Sequence, residues 1–594
     1  MIKLYKQIFS ILNDELKKKV INLQLINIFQ AIIETIALGL IAVLVSIIND
    51  PLIINKQIIL KPYFEEYFKS DINLFLIYYC SLLFIIIFFS FFLSIFVNTK
   101  MLRVGHEINA LLENKAFNYY LNKPWIFHVN TSYADIVRKI SHDIAIIGAK
   151  LIIPSLNISH KIILIIAISF MMFLYNPYIA LFGIIIFSLV YFFIILNVKR
   201  TIKYQTTLES FLYKEKNETV FNTFQGVKEV ILYNLKNFFK TNFNSITYAH
   251  IDPAVKLGLI VQIPRLVVEG ISYSIIIMFI LFALLLNFGM DSILPTIALY
   301  AFAGLKLLPA FQQIYMAVVN IRNGKVLFDR YKDKLAVKIN DNFQTKNKKT
   351  LEFLKSFSLE KIKFKYNKNK KTNQLSIKKL EIKKNSIIGI AGTTGSGKST
   401  LIDIFTTLIL PDSGKIYVDK KRLDKKMFKL WMNNFAIVPQ SPFFSNLSIL
   451  ENVAFGLNKK DVKLNKVMDC IKMANLSKRI NSFSQGIYTK IGDRGLRLSG
   501  GERQRLAIAR ALYSEKKIII FDEATSAVDS ETEKEIVKSI TNLKKQKTMI
   551  IIAHRINTLK ICDKIYLMKN GRIFGSGSYN NLLKKNSYFK KLNG

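Results

Sequence analysis

The N-terminal half of the chain is dominated by long apolar stretches. The clearest are residues 25–48, 74–97, 162–175, 179–198, 271–286 and 293–303. A helix needs roughly 20 apolar residues to cross the hydrocarbon core of a bilayer, and the shorter stretches extend into mixed sequence. A water-soluble core accounts for one or two such runs, but not for this series. The pattern predicts an all-helical transmembrane domain with about six spans within residues 1–330.

A different pattern follows the polar, lysine-rich residues 331–350, which have the composition of a linker. Short apolar runs, separated by helix-like segments, lie at residues 387–390, 435–438, 518–521 and 549–553. Runs of this length are typical of buried parallel strands. Residues 351–594 are therefore predicted to form an α/β domain, in which ligands bind beyond the carboxyl ends of the strands.

The first of these strands leads into a phosphate-binding loop. The sequence fits G-x-x-x-x-G-K-[ST] between a strand-like and a helix-like segment, which is the context that the motif requires. The loop residues and the threonine after them are Gly392, Thr393, Thr394, Gly395, Ser396, Gly397, Lys398, Ser399 and Thr400. Lys398 is suited to the β- and γ-phosphate oxygens and the Ser399 hydroxyl to Mg²⁺. The loop predicts that the chain is an ATPase with ATP and Mg²⁺ as ligands.

A carboxylate pair follows the strand at residues 518–521. Asp522 is expected to hold the metal ion, and Glu523 is expected to polarise the attacking water. A carboxylate pair at a strand end is also common in solvated turns, so this pair alone leaves both interpretations open.

Other polar groups occupy equivalent positions. Gln440 ends the strand at residues 435–438, and His554 ends the strand at residues 549–553. A predicted helix opens with residues that present N–H groups to an anion, namely Ser499, Gly500, Gly501 and Glu502. All these groups lie at strand ends or helix starts, which favours one shared ligand site.

On these motifs, the C-terminal part resembles the nucleotide-binding domain of ABC (ATP-binding cassette) transporters, and residues 498–504 resemble the signature motif of that family. The resemblance implies a P-loop ATPase domain with a helical signature subdomain. It assigns Gln440 to the Q-loop, which contacts Mg²⁺ and the membrane domain, and His554 to the switch histidine near the γ-phosphate. Residues 526–529 correspond to the D-loop. Tyr366 lies where the family stacks an aromatic ring on adenine, although it also fits an ordinary strand residue.

The family resemblance also implies how the chain works. Its members hold ATP between the phosphate loop of one domain and the signature of another. A chain with one of each, and no internal repeat, therefore resembles a half-transporter that works as a homodimer. The order of segments resembles exporters, with cytoplasmic loops near residues 124–128 and 219–233 reaching the ATPase domains. No substrate-binding protein is then implied.

Charge supports this topology. The formal net charge is +43, from 84 basic and 41 acidic residues. In a soluble protein this excess would indicate nucleic acid, but here lysines recur in loops predicted to be cytoplasmic. No nucleic-acid partner is expected, and both chain ends and the ATPase domain are placed in the cytoplasm of a bacterium, beside its inner membrane. The three cysteines, Cys80, Cys470 and Cys562, have no metal-binding spacing and are predicted to be reduced.

Two cations interrupt the last apolar stretches. Arg265 and Lys306 lie at predicted membrane depth, where ionisable side chains usually face a cavity or a partner. Two chains would bring these cations to one cavity, which suits a phosphate or pyrophosphate head group. Two alternatives stay open: Glu269, four residues after Arg265, can pair with it, and Lys306 can extend to the cytoplasmic surface.

Residues 264–270 also resemble their counterpart in bacterial lipid-linked oligosaccharide flippases, which move undecaprenyl-pyrophosphate-linked glycans. This resemblance implies a membrane lipid or glycolipid as the substrate. Ser90 and Gln313 stand where further cavity cations are expected in that group, which leaves the head group open. A multidrug or peptide exporter is the alternative. An ATP-gated channel or regulator is a third interpretation, and the presence of Glu523 and His554 argues against it.

Overall fold

The computed structural model describes two compact units. The described residues are 2–49, 51, 54, 60–68, 71–175, 177–285, 290–337, 349–366, 374–492, 495–524, 530–544, 546–553 and 555–592. One unit comprises Met1–Lys123 and Phe127–Asn340, and the other comprises Pro124–Ile126 and Asp341–Gly594.

The described residues of the first unit form helices joined by short turns, with no strand among them. Its helices are α1 (Ile2–Ile11), α2 (Asp14–Asn49), α3 (Leu60–Phe68), α4 (Ile72–Leu121), α5 (Trp125–Val129, shared with the second unit), α6 (Tyr133–Val137), α7 (Ile144–Ile147), α8 (Ile153–Tyr175), α9 (Pro177–Gln225), α10 (Val227–Leu232), α11 (Lys236–Ala249), α12 (Ile251–Leu285) and α13 (Met290–Leu335). Two π-helical segments, Arg138–Asp143 and Gly148–Ile152, flank α7. Helix α13 ends at Leu335, so the first residues of the predicted linker are helical, and residues 338–348 lie outside the described residues.

Four ranges in the described part are long and apolar enough to cross a membrane: Asp14–Asn49, Ile72–Leu121, Tyr133–Leu174 and Tyr300–Leu335. The predicted spans at residues 179–198 and 271–286 lie in α9 and, as far as Leu285, in α12. The predicted span at residues 293–303 lies in α13 and overlaps the apolar range Tyr300–Leu335 only at residues 300–303. Phenylalanines on α4 such as Phe84, Phe88 and Phe92 are exposed, as expected for a helix face that meets lipid. The prediction of an all-helical membrane domain is confirmed.

The second unit is an α/β domain. Its strands are β1 (Ser356–Lys365), β2 (Gln374–Lys383), β3 (Ile387–Gly392), β4 (Ser413–Val418), β5 (Lys421–Arg422), β6 (Phe435–Val438), β7 (Ile518–Asp522), β8 (Thr548–Ile552), β9 (Lys564–Lys569) and β10 (Arg572–Gly577). They form one sheet in the order β5-β4-β1-β2-β10-β9-β3-β8-β7-β6. The half from β9 to β6 is parallel, whereas β5, β4, β1 and β2 pair antiparallel.

The helices of this unit cover the sheet and form a separate helical segment. They are α14 (Lys398–Phe405), α15 (Phe428–Met432), α16 (Ile449–Val453), α17 (Leu464–Met473), α18 (Ser477–Asn481), α19 (Gly500–Tyr513), α20 (Ser530–Asn542), α21 (Tyr579–Lys585) and α22 (Ser587–Leu592), with short 3₁₀ turns at Lys459–Asp461, Gly486–Tyr488 and Ile556–Ile561. The consecutive helices α16 to α19 form the predicted helical subdomain that carries the signature.

The central strands are apolar on both faces because helices cover both. Along β3 all residues are buried, and successive residues alternate between two core clusters. Helix α14 packs on one face with Leu401 and Phe405, and α19 packs on the other with Leu506 and Ile508. This accounts for the unbroken apolar runs, which are typical of parallel strands buried on both sides. Because β3, β8 and β7 are parallel neighbours, their carboxyl ends lie at one edge of the sheet.

Candidate functional site

The phosphate-binding loop connects β3 to α14 at this edge. Gly395 and Gly397 have φ angles of 78° and 96°, in the left-handed region that favours glycine. Gly392 is required for a different reason. A Cβ at this position would lie 2.4 Å from the carbonyl oxygen of Met568 and 2.7 Å from Oγ of Ser396. The loop therefore depends on glycine at each of these positions.

Gly392→Ala should weaken ATP binding by about tenfold or more, because the clashing atom of Met568 belongs to the backbone of β9 and overpacking costs more than 1 kcal/mol. Binding of a fluorescent nucleotide to the purified chain measures this. Gly575→Ala is the matched control, since its Cβ would meet no atom closer than 3.5 Å. Wild-type affinity in Gly392→Ala would contradict the prediction.

The Lys398 side chain is held over the phosphate-binding loop by backbone carbonyl groups of that loop. Its Nζ donates to the carbonyl oxygens of Gly392 at 2.9 Å and Thr393 at 3.2 Å. Burial lowers the pKa of Lys398, and the charges of Glu523 and Asp522 oppose this shift. The hydroxyl of Ser396 is buried and has no hydrogen-bond partner among the described residues. A buried ammonium beside an unpaired hydroxyl fits a site for an anion such as a phosphate.

The structure brings Gln440 and Glu523 together, although they are far apart in sequence. Nε2 of Gln440 donates to Oε2 of Glu523 at 2.8 Å. Glu523 follows the last residue of β7 with φ of 50°, and its N–H donates to the carbonyl oxygen of Ile552 at the end of β8. Residues other than glycine seldom adopt a positive φ angle. The turn directs the Glu523 carboxylate to the edge where the phosphate loop lies.

The same edge offers oxygen ligands for a hard cation. Asp522 is the last residue of β7, and the side chain of Ser399 is exposed at the start of α14. With the amide oxygen of Gln440, these groups have the chemistry that Mg²⁺ prefers, and Mg²⁺ usually completes its shell with phosphate oxygens and water. The residues present therefore fit a magnesium ion held together with a nucleotide.

The signature residues form the N-terminus of α19. Oγ of Ser499 accepts the N–H of Glu502 at 3.2 Å, and the Glu502 carboxylate accepts the N–H of Ser499 at 2.8 Å. This capping box satisfies two backbone groups, while the N–H groups of Gly500 and Gly501 have no intrahelical acceptor. Together with the helix dipole, these groups present a surface suited to an anion.

Two residues at this site were missed by sequence reasoning. Nε2 of Gln504 donates to the carbonyl oxygens of Gln440 at 2.6 Å and Pro439 at 3.3 Å, which ties the signature helix to the Q-loop segment. The Tyr588 hydroxyl accepts the N–H of Thr393 at 3.2 Å. Gln504 is part of the signature stretch, so its position was visible. Tyr588 lies in the C-terminal helix and carries no sequence signal.

Of the remaining predicted site residues, the structure describes Tyr366 but not His554 or the D-loop. Tyr366 follows β1, is 46% exposed, and its hydroxyl lies 3.5 Å from Oγ1 of Thr400 beside the loop. An exposed ring at this place is compatible with adenine stacking, which stays a prediction. His554 and the D-loop at residues 526–529 lie outside the described residues.

Asp403 lies on α14, one turn beyond the start of the helix. Burial raises the pKa of Asp403 to about 6, a hydrogen bond with Trp125 opposes the rise, and the charge of Asp522 adds to it. Trp125 belongs to the short segment Pro124–Ile126 of the second unit, in which Ile126 packs against the sheet core.

Asp403→Asn should raise the melting temperature at pH 8 by a few degrees and change it less at pH 4. In the unfolded chain the carboxyl ionises near 3.8 and in the folded chain near 6, so stability falls as the pH rises through this window. Asparagine avoids that cost and can still accept from Trp125. Thermal unfolding at both pH values tests this, with the exposed Asp461→Asn as the control. An equal effect at both pH values would rule out a titrating Asp403.

In the membrane domain, both predicted cations have a carboxylate partner. Nε of Arg265 on α12 donates to Oε1 of Glu269 at 2.6 Å, as in the self-paired alternative. Lys306 on α13 lines a pocket of about 350 Å³, with its Nζ 3.9 Å from Oε2 of Glu34 on α2. Glu34 was missed, although a carboxylate inside the apolar stretch at residues 25–48 is the same kind of signal that identified Arg265 and Lys306.

Comparison with known proteins agrees with this architecture. A family model described as the ABC transporter transmembrane region matches residues 25–304, and a model described as ABC transporter matches residues 375–526. The chain belongs to the ABC transporter family. The second match contains the phosphate loop, Gln440, the signature and the Asp522–Glu523 pair.

Two relatives and one solved structure illustrate the similarity. The heterocyst differentiation ATP-binding protein HepA of Nostoc sp. is 32% identical over 373 residues, which cover 61% of this chain and 58% of HepA. The ATP-dependent lipid A-core flippase of Burkholderia pseudomallei is 38% identical over 206 residues, 35% of this chain and 34% of the flippase. The chain therefore aligns with only part of each relative.

A bacterial Atm1-family ABC exporter with ATP bound has a similar structure. The TM-score is 0.75 at 22% sequence identity, and the alignment covers 95% of this chain and 97% of the exporter. This confirms the predicted fold class, an exporter-type membrane domain followed by a P-loop ATPase domain. One feature of the sheet was not foreseen, since it is mixed rather than wholly parallel.

Proposed function

We propose that this chain is an ATP-driven exporter that flips a lipid-linked glycan with a phosphate or pyrophosphate group across a bacterial inner membrane. It works as a homodimer, since one chain has one phosphate loop and one signature. One relative is by name a lipid A-core flippase, which supports an amphipathic lipid as cargo. The observation that most supports a phosphate-bearing cargo is the state of Arg265 in the membrane domain.

Arg265 retains hydrogen-bonding capacity at predicted membrane depth. Its Nε is engaged by Glu269, but its two terminal nitrogens have no hydrogen-bond partner among the described residues, and its side chain is 58% exposed. A guanidinium group can donate through its terminal nitrogens to two oxygens of one phosphate. Glu269 then orients the arginine, and the substrate phosphate supplies the second counter-charge. This explains why an arginine is kept in an apolar helix.

The ATPase residues have complementary roles in this proposal. Lys398 and the N–H groups of the loop hold the nucleotide phosphates, and Tyr366 stacks on the adenine. Mg²⁺, when bound by Ser399, Gln440 and Asp522, offsets phosphate charge. Glu523 accepts the proton of the attacking water, and Gln440 orients the Glu523 carboxylate through their 2.8 Å hydrogen bond.

The opposite face of the nucleotide is proposed to meet a second copy of the chain. There the N-terminus of α19, with Ser499, Gly500, Gly501 and Glu502, faces the γ-phosphate. His554 completes the site. Neither chain alone surrounds the nucleotide, which couples hydrolysis to pairing of the two ATPase domains.

Arg265→Ala should abolish ATP-dependent translocation of a pyrophosphate-linked lipid in proteoliposomes while basal ATPase activity is retained, because Arg265 is not part of the ATPase site. Arg265→Lys should rescue translocation only in part, since lysine keeps the charge without the planar fork. Arg103→Ala, a change of the same residue type outside the proposed cavity, is the control.

Exchanging the pair, Arg265→Glu with Glu269→Arg, separates the two interpretations. A purely structural ion pair predicts that the exchange restores transport. A substrate contact predicts continued loss. Full transport by Arg265→Ala would overturn the phosphate proposal and favour an uncharged or drug-like cargo.

A further inference from the structure

The pocket beside Lys306 has features that the proposed function does not use. It lies between α2, α4 and α13, and its volume of about 350 Å³ is at the lower end of the range for small-molecule sites. A space of this size holds one or two rings of a head group rather than a whole lipid. Most of its lining is apolar, including the aromatic rings of Phe91 and Phe302.

Four polar side chains line this pocket: Glu34, Ser90, Ser94 and Lys306. Within the described part of the chain, neither serine hydroxyl nor the Lys306 ammonium group has a hydrogen-bond partner. Ser90 is only 9% exposed. Buried polar groups normally have partners, and serines in helices often bond to their own backbone. Ser90 is buried, Ser94 is half-buried and the Lys306 side chain is 54% exposed, so these groups are available to a ligand that enters the pocket.

One oxygen of the Glu34 carboxylate is held by a hydrogen bond. Its Oε1 accepts Nε2 of Gln30 at 2.7 Å, and Nε2 of His160 lies 4.0 Å away. Its Oε2 lies 3.9 Å from Nζ of Lys306, and both residues line the pocket. This separation exceeds a hydrogen bond, so the two groups attract each other without contact.

The 3.9 Å separation fits one hydroxyl group. A hydroxyl oxygen about 2.8 Å from Oε2 of Glu34 and from Nζ of Lys306 can donate a hydrogen bond to Oε2 and accept one from Nζ. A phosphate at the same place would gain Lys306 but lie against the Glu34 carboxylate. Lys161 on α8 interacts with both Glu34 and Lys306, so the Glu34 carboxylate beside Lys306, rather than the net charge, disfavours a phosphate here. The pair therefore selects a hydroxyl over a phosphate.

We propose that this pocket binds a sugar of the transported head group, with Glu34 and Lys306 sharing one hydroxyl and the two serines contacting others. The proposal rests on the proposed function and divides the head group between two places, the phosphate at Arg265 and the glycan here. Aromatic rings in the lining provide surfaces for the apolar faces of a sugar. Lys306 is then a specificity residue for the glycan rather than a second phosphate ligand.

The test compares two lipids in binding to the full chain in nanodiscs. One is a polyprenyl pyrophosphate that carries a short glycan, and the other is the same lipid without sugar. The wild-type chain should bind the glycosylated lipid about tenfold more tightly or better, because hydrogen bonds to charged groups are among the strongest. Glu34→Gln and Lys306→Met should each remove most of this preference while affinity for the sugar-free lipid stays unchanged. Thr35→Val on the same helix is the control, since Thr35 bonds to its own backbone at Ala31.

Each outcome decides between the proposals. Equal affinity of the wild-type chain for both lipids would overturn the sugar site and leave the phosphate proposal standing. Failure to bind either lipid would overturn both. If a variant loses affinity for both lipids equally, the Glu34–Lys306 pair is structural and the sugar site is wrong. The ratio of affinities is informative because misfolding lowers both values together.

Discussion

Glu523→Gln is expected to lower the steady-state ATPase rate of the reconstituted transporter by about two orders of magnitude or more, while ATP still binds. The amide keeps the shape of the side chain but cannot accept a proton from water. The phosphate loop and Lys398 are unchanged by the substitution, so affinity for ATP should be retained. Phosphate release and equilibrium nucleotide binding, measured on the same preparation, test both parts.

Glu352→Gln is the matched control for this prediction. Glu352 is an exposed residue of the same domain, and it lies away from the carboxyl ends of the strands. Its variant should have the wild-type rate. A near-normal rate in Glu523→Gln would move the general base to another residue. Loss of ATP binding together with the rate would show that Glu523 has a structural role instead.

Lys398→Ala and Ser499→Arg should each lower the ATPase rate about 100-fold or more when all chains carry the same change, because each removes one side of both composite sites. Mixed dimers, obtained by co-expression with two affinity tags, should regain a measurable fraction of the wild-type rate. In such a dimer one site has both its Lys398 and its Ser499 intact, while the other site carries both changes.

This complementation depends on ATP being shared between two chains. A mixed dimer as inactive as either variant would show that both sites must be intact, and nucleotide binding to the mixed dimer would then decide whether the shared site forms. Wild-type chains that hydrolyse ATP as monomers in nanodiscs would contradict the homodimer. Co-expression of Lys398→Ala with a second Lys398→Ala chain is the negative control.

The fold class of the membrane domain and of the ATPase domain could be predicted from the sequence for a physical reason. Membrane spans and buried parallel strands both require unbroken apolar runs, and these are visible without tertiary information. The phosphate loop was also visible, because its glycines and Lys398 act within one short segment. Fold class and loop geometry therefore depend on local sequence, and both are present in the structure.

Contacts between distant segments were the part that could not be predicted. The Gln440–Glu523 hydrogen bond joins the ends of two neighbouring strands, and it is evident only once β6 is known to pair with β7. The pairing of Lys306 with Glu34 joins α13 to α2. By contrast, the Arg265–Glu269 pair lies within one helix turn, and the sequence already offered it as an alternative.

Apart from the alternating segment that ends at Tyr366, the antiparallel strands at the sheet edge were missed because their pattern is different. In β1 and β2 buried and exposed residues alternate over part of the strand, and many of the exposed residues are lysines. Such strands have no continuous apolar run, so only the central strands stood out. Their place beside Tyr366 nevertheless shapes the site where the adenine is proposed to bind.

We propose that ATP hydrolysis by this chain drives a lipid-linked glycan across a membrane. The most direct test follows the exposure of the glycan in sealed proteoliposomes, using a soluble glycosidase that reaches only one leaflet. With the wild-type chain, ATP is expected to move a pyrophosphate-linked glycolipid between leaflets, and Glu523→Gln should abolish this movement. No ATP-dependent movement, in vesicles whose wild-type chains hydrolyse ATP at a normal rate, would contradict it.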